Sequence, residues 1–255
     1  MTASANSSAP IRAVVTGHTR GLGAALAEQL LARGIAVLGI SRSHHDTLPH
    51  RHADLFEQEQ LDLADTGRVA QWLAGDRLQR FVDGAQRVLL FNNAGTVQPI
   101  GPLDAQDVGA IAHAVNLNVA TPLMFASAFA TASAAASDRR IVHISSGAAH
   151  NAMAGWSIYC ATKAALDHHS RAVGQDRTHA LRICSVAPGV VDTDMQAEIR
   201  GVSVDKFPSR ERFTELKRNG QLMSPDDSAE KVVGYALSDA FGEVPVADVR
   251  ALPQH

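Results

Sequence analysis

The sequence predicts a single α/β domain, a parallel sheet with helices packed on both of its faces. Three observations point there. Short β-branched runs alternate with amphipathic stretches along the whole chain, which is the pattern of strand–helix–strand units. The first strand runs through a glycine-rich turn, Thr16-Gly17-His18-Thr19-Arg20-Gly21-Leu22-Gly23, directly into a helix. The composition, 45% apolar and 19% charged over 255 residues, is that of a globular chain long enough to bury roughly three quarters of its unfolded surface. No repeat and no interdomain linker interrupts the alternation, so one domain is expected over residues 11–255, with residues 1–10 a Ser- and Ala-rich frayed tail.

The elements follow in order. Ile11 to Thr16 reads as a buried strand, with Val14 and Val15 ahead of Gly17. Gly23 to Arg33 carries Leu26, Leu30 and Leu31 at helical spacing, and Gly34 is its stop. Ile35 to Ile40 is the second strand, and a third ends near Leu61-Asp62-Leu63. Asp65 to Phe81 reads as a helix with Val69, Trp72 and Leu73 on one face. Arg87 to Phe91 is a strand ending in Asn92-Asn93-Ala94-Gly95, followed by a long helix over about Ala105 to Ala135. Arg140 to Ser145, Trp156 to Asp176 and Leu181 to Val186 read as strand, helix and strand, the last stopped by Pro188-Gly189. Asp192 to Gly220 is polar and irregular, with one helix near Glu211 to Arg218. Ser224-Pro225 opens a helix to Leu237 as N-cap and first-turn proline, and Val244 to Val249 is a last strand.

A net charge of −3 gives no broad nucleic-acid or membrane surface. Met1 to Pro10 lacks the basic and apolar regions of a signal peptide. No apolar run of the roughly 18 residues needed to span a bilayer stands out. Cys160 and Cys184 read as reduced thiols, and a soluble cytoplasmic protein is expected. Twelve histidines raise the question of a metal. His44, His45, His50 and His52 cluster in one loop, but no Cys or carboxylate completes a recognisable ligand spacing, so no metal is expected. His168 and His169 read as surface or interface residues, and His18 as facing solvent or phosphate.

The glycine turn carries the first functional signal. Glycines let backbone approach a pyrophosphate, and the helix that follows offers unpaired N–H groups and the positive end of its dipole. The spacing G-x-x-x-G-x-G differs from the common dinucleotide fingerprint, and by itself it also suits a structural turn. An acidic residue at the tip of the second strand would bind a ribose 2′-hydroxyl, a basic one a 2′-phosphate. Here Ser41-Arg42-Ser43 stands at the tip, and Arg20 lies in the turn. Two guanidiniums can grip one phosphate, which favours NADPH over NADH, unless both arginines are simply solvated. Asp62 reads either as acceptor for an adenine amino group or as a helix N-cap.

The second signal is Tyr159 and Lys163, four residues apart on one helical face. Ser146 ends the preceding strand and Asn116 lies in the long helix before it. Singly, Ser146 and Asn116 suit caps and Tyr159 suits a core; together their order is distinctive. The set Thr16-Gly17-x-x-x-Gly21-x-Gly23, Asn93-Ala94-Gly95, Asn116, Ser146, Tyr159-x-x-x-Lys163 and Pro188-Gly189-x-x-x-Thr193 resembles the short-chain dehydrogenase/reductase family from about residue 11 to 250. Ile144-Ser145-Ser146-Gly147, Gly155-Trp156-x-x-Tyr159-Cys160-Ala161-x-Lys163 and Ala187-Pro188-Gly189-Val190-Val191-Asp192-Thr193-Asp194-Met195-Gln196 are similar to the branch of sepiapterin and benzil reductases.

That resemblance implies a Rossmann-type doubly wound sheet of about seven strands, an NADP(H) cofactor and a ketone or 1,2-dicarbonyl substrate. It places Asn116, Ser146, Tyr159 and Lys163 at the catalytic centre. It places Gly17, Thr19, Arg20, Gly21, Leu22, Gly23, Ser41, Arg42, Asp62, Asn93, Ala94, Gly95, Tyr159, Lys163, Pro188, Gly189, Val191 and Thr193 around the cofactor. Ser146 would hold the carbonyl oxygen, Tyr159 would protonate the alkoxide, Lys163 would also bond the nicotinamide ribose, Thr193 would contact the carboxamide, and Asn116 would hold a water that relays protons. A free phenol titrates near 10, and lowering it by about 3 units takes roughly 4 kcal/mol. A cation about 4 Å away supplies energy of that order at an effective dielectric near 20, so Lys163 and the oxidised nicotinamide together are expected to lower Tyr159. Residues 194–220 would form a substrate lid, with Trp156, Met195, Phe213 and, by loose analogy, Asp248 near the substrate. A homodimer or homotetramer through the catalytic and long helices is implied. The competing expectations are an NADP-binding regulator without turnover, and an enzyme acting on 3-oxoacyl thioesters or sugar alcohols.

Overall fold

The computed structural model describes residues 10–252. Most of the expected tail therefore lies outside the described residues, while Pro10 already accepts a hydrogen bond from the Gln86 amide at 3.1 Å. In chain order the elements are β1 (Ile11–Thr16), α1 (Gly21–Leu31), β2 (Ala36–Ser41), α2 (Leu48–Arg51), β3 (Phe56–Gln60), α3 (Thr66–Leu73), α4 (Arg77–Val82), β4 (Arg87–Asn92) and α5 (Val108–Val115). A π turn over Asn116–Ala120 leads into α6 (Thr121–Ala132). Then come β5 (Asp138–Ile144), α7 (Ser157–Val173), β6 (Leu181–Ala187), α8 (Asp194–Gly201), α9 (Arg210–Arg218), α10 (Pro225–Leu237) and β7 (Val246–Asp248).

Among the described residues seven strands form one sheet in the order β3-β2-β1-β4-β5-β6-β7, every pair parallel. The order reverses between β1 and β4, which opens a crevice at the carboxyl ends of the strands. The central strands are apolar on both faces because both are covered. One face packs Leu26, Leu30 and Val233 against Phe91 and Val186. The other packs Phe81, Phe125 and Phe129 against Leu90 and Ile141.

Four expectations are corrected by this architecture. The third strand is Phe56–Gln60, earlier than Leu61-Asp62-Leu63 suggested, because an edge strand can stay half solvated and show no apolar run; Glu57 and Glu59 on it bind Arg77 at 2.5 and 2.6 Å. The expected helix 65–81 is two helices, broken at Gly75-Asp76 and capped by Asp65, which accepts from the Arg68 amide. His18 faces neither solvent nor phosphate: it is fully buried, bonds Gln58 at 3.1 Å and packs edge-on to Phe56. His169 turns inward, its Nδ1 3.1 Å from Nε2 of the buried His143. In addition, the continuous helix 108–132 is long and apolar enough to cross a membrane, with mean hydropathy 1.3. Here it lies along the sheet, with Phe125 and Phe129 in the core.

The amino ends of the strands are tied by charge. Asp138 at the start of β5 accepts from Arg87 (2.6 Å), Arg140 (2.7 Å) and Arg182 (3.2 Å). Arg140 is fully buried and also donates to the Ala236 and Ser238 carbonyls at 2.7 Å each. Burial works against the Asp138 charge, but the three guanidiniums, Arg140 first, hold its carboxyl well below the usual range. A depressed carboxyl stabilises the fold above its unfolded pKa and loses that contribution as pH falls through its native value. Asp138→Ala strands the buried Arg140 charge and should cost about 3–5 kcal/mol. Urea denaturation at neutral pH checks this, and a loss under 1 kcal/mol would show that the cluster is not a structural anchor.

Candidate active site

The crevice between β1 and β4 opens into a cavity of about 1110 Å³. Its floor begins with the glycine turn. Gly17 and Gly21 have φ of +71° and +53°. A Cβ at Gly23 would stand 1.9 Å from the Gly17 carbonyl oxygen, so no other residue fits there. The first turn of α1 has no side-chain cap and no acidic residue, so its N–H groups face the cavity without an internal acceptor. This is a cradle suited to a phosphate. The turn is braced from β4: the Asn93 side chain donates to the Thr16 and Gly17 carbonyls at 3.0 and 3.2 Å, and the Thr16 hydroxyl accepts from the Asn93 and Ala94 amides. Asn93 therefore shapes the cradle with its side chain.

Thr19, Leu22, Ser41, Arg42, Asp62 and Gly95 line the same cavity, as do Pro188, Gly189, Val191 and Thr193 on the opposite wall. Arg20 is engaged by Asp194 at 3.1 Å, an exposed pair joining the glycine turn to α8. Among the described residues Arg42 has no acidic partner, which leaves it the better placed of the two arginines for a further anion. Asp62 does not cap α3; its Oδ1 accepts from the Ala64 amide at 3.0 Å.

At the other end of the cavity, α7 presents one face to the end of β5. Lys163 Nζ donates to the Ile144 carbonyl at 2.7 Å and lies 5.8 Å from the Tyr159 ring centre. The Ser146 hydroxyl and the Tyr159 phenol line the same end of the cavity, and Ser146 accepts from the Ala148 amide at 3.1 Å. Burial pushes the phenol up to about 12, against the pull of Ser146. The sequence argument looked for a lowered phenol; in the protein alone, desolvation of the phenolate dominates and raises it. Burial also pulls Lys163 down to about 8, against the Asp167 carboxylate.

The asparagine is corrected. Asn116 is half-buried at the start of the π turn and donates to the Ala64 carbonyl at 3.3 Å, away from Lys163. Asn118 is fully buried and faces the site. It donates to the Thr96 carbonyl (2.8 Å) and the Thr162 hydroxyl (3.2 Å) and accepts from the Thr96 amide (2.9 Å). A Cβ on Gly95 would stand 3.2 Å from Asn118 Oδ1 and 3.7 Å from Lys163 Nζ, so Asn118 and Lys163 meet over that glycine. The π turn rotates the helix face, which ordinary helical spacing does not anticipate. Two asparagines in Asn-x-Asn were the available signal.

Asp248 is corrected as well. Its carboxylate is bound by Arg250 (2.5 and 2.9 Å) and is not on the cavity wall, whereas Arg250 is. Trp156, Met195 and Phe213 do line the cavity. Trp156 stacks on Phe207 at 4.6 Å and packs against Phe213 and edge-on to Tyr159. Phe207, fully buried, was not singled out from sequence, since its surroundings read as an irregular polar segment. Among the described residues no His, Cys, Asp or Glu cluster could hold a metal ion.

With this geometry in place, comparison with known proteins is direct. The profile of the family described as "short chain dehydrogenase" matches residues 12–202. The chain belongs to that family. Like other short-chain dehydrogenases it is an oxidoreductase by descent. A benzil reductase ((S)-benzoin forming) of Bacillus cereus is 32% identical over 91% of this chain and 96% of that protein. A sepiapterin reductase of Meriones unguiculatus is 33% identical over 89% and 92%. A crystal structure of a short-chain dehydrogenase/reductase from Burkholderia vietnamiensis shares 56% identity over 96% of this chain and all of that one, with a TM-score of 0.70.

The two asparagines should separate in experiment. Asn118→Ala removes three buried hydrogen bonds and should cost about 1–3 kcal/mol, whereas Asn116→Ala should cost under about 1 kcal/mol. Urea midpoints of the two variants decide, and equal losses would contradict the assignment.

Proposed function

We propose that this short-chain dehydrogenase is an NADPH-dependent carbonyl reductase acting on a ketone or 1,2-dicarbonyl compound. The observation that carries the reading is the meeting of the Tyr159 phenol, the Ser146 hydroxyl and the Lys163 ammonium at one end of a cavity whose other end is an uncapped phosphate cradle. The similarity to benzil and sepiapterin reductases supports the substrate class. Gly17, Gly21 and Gly23 with the α1 amides would hold the pyrophosphate, Arg42 and Ser41 a 2′-phosphate, and Lys163 and Thr193 the nicotinamide end. When bound, the cofactor supplies the hydride.

The residues of this chain do the remaining work. Ser146 holds and polarises the carbonyl oxygen. Tyr159, protonated at neutral pH, gives its proton to that oxygen as negative charge develops. Lys163 stabilises the phenolate left behind, and Asn118 holds the loop at Gly95 and Thr96 against α7. The helices α8 and α9 cover the substrate, anchored by the Trp156–Phe207–Phe213 stack. The exposed Leu103, Val108 and Val115 lie on and beside α5, which suits a homodimer or homotetramer.

Wild-type protein should oxidise NADPH in the presence of benzil, a diacetyl-type diketone or sepiapterin. Tyr159→Phe should lower kcat by about 10²–10⁴-fold with NADPH affinity retained. Wild-type-like turnover in that variant would remove Tyr159 from the mechanism, and silence of the wild type on every probe would remove the substrate class.

Arg42→Ala tests the cofactor separately. Loss of a charged hydrogen bond to a phosphate is worth about 1.5–3 kcal/mol, so NADPH should bind roughly 10–100-fold more weakly while NADH is little changed. Fluorescence titration with both cofactors measures this, and parallel losses would place the discrimination elsewhere.

A further inference from the structure

Asp167 is a buried carboxylate with no part in the reaction described above. It lies one turn beyond Lys163 and two beyond Tyr159 on the same face of α7, and its side chain is 2% exposed. Its Oδ1 accepts from two hydroxyls, Ser145 at the end of β5 and Ser185 on β6, each at 2.6 Å. Its Oδ2 lies 2.9 Å from Nε2 of His150, whose side chain is half exposed; the contact is off hydrogen-bond alignment, so it acts between charges when His150 is protonated.

The hydrogen bonds alone do not require a charge. A neutral amide oxygen at Asp167 would accept from the same two hydroxyls, and it would avoid a desolvation cost of several kcal/mol. The charge has a use in what surrounds it. The groups facing Asp167 are Lys163 from its own helix, Ser145 from β5, Ser185 and the Cys184 thiol from β6, and His150 from the turn after β5. Of these, Lys163 is the fully buried cation. Burial presses it toward the neutral form, and the Asp167 carboxylate opposes that by favouring the charged form.

The geometry couples this charge to the reacting hydroxyls. Three consecutive residues at the end of β5 face three successive turns of α7: Ile144 accepts from Lys163, Ser145 donates to Asp167, and Ser146 lines the cavity beside Tyr159. Fixing Ser145 fixes its neighbour Ser146. We propose that Asp167 is a positioning residue that keeps Lys163 protonated and, through Ser145, holds the Ser146 hydroxyl against Tyr159. Its importance for catalysis rests on the carbonyl-reductase reading; its link to Lys163 does not.

The link is measurable without substrate. In the full-length wild type, the carboxyl 13C resonance of Asp167 should step at the pH where the Lys163 15Nζ resonance titrates, because coupling between two charges is reciprocal. Asp167→Asn should lower the Lys163 midpoint by about one unit or more. With NADPH and a carbonyl probe, the alkaline limb of kcat/KM should move the same way. Ser185→Ala keeps the carboxylate while removing one of its donors, so it should lower Tm yet leave the midpoint near that of the wild type. No step in the wild-type carboxyl resonance would overturn the proposal even if Asp167→Asn fails to fold. So would an unmoved midpoint in Asp167→Asn, or equal shifts in both variants. A wild type that reduces no carbonyl probe would sink the proposed reaction, while the resonances would still decide the link between Asp167 and Lys163.

Discussion

The register between the end of β5 and one face of α7 is the constraint on which the site depends. Tyr159, Lys163 and Asp167 recur every four residues, so a helix must present them in one column. The strand can meet that column only where its own regular pairing stops. Ser145 still donates its amide to Val186 as the last link to β6, and its hydroxyl is already turned to Asp167. Ser146 then leaves the sheet and caps the short turn that follows. The Ser146 hydroxyl on the cavity wall is thus carried by the first residue freed from the ladder, and the rest of the sheet holds it in place.

The two ends of that sheet carry opposite chemistry for the same physical reason. Every strand is parallel, so all carboxyl ends, with the turns that follow them, fall on one side. There backbone amides at the start of α1 and the lysine on α7 meet the cavity. At the amino ends Asp138 draws Arg87, Arg140 and Arg182 together as a fastening. Buried charge at one end supports the fold; at the other it sets proton affinities. Raising Tyr159 and lowering Lys163 are both effects of burial, and they bring a phenol and an ammonium into a common low-dielectric space.

The readable parts of the chain were those where local chemistry speaks for itself. The strand–glycine turn–helix unit, Tyr159 with Lys163, Ser146 at a strand end and the Ser224 cap all stand where their local patterns placed them, and the Ser224 hydroxyl accepts from the Asp227 amide. Edge strand β3 was misplaced because its alternate Glu side chains are solvated and satisfied by Arg77. Helix α8 was missed because its polar surface hides Ile199, which is buried only against neighbouring segments of the chain. Asp248 looked available in sequence, but a residue two positions on, Arg250, turns back and binds it.

The sequence by itself determined the fold class, the family and most of the residues around the cavity, because period, turn chemistry and motif order are local properties. Only the tertiary structure decided between Asn116 and Asn118, showed His18 to be a core residue, and brought Phe207 onto Trp156 and Asp167 onto Ser145 and Ser185. Each of those contacts joins segments distant in the chain. Whether a polar side chain faces a cavity, a neighbour or water is settled by the packing of elements against one another.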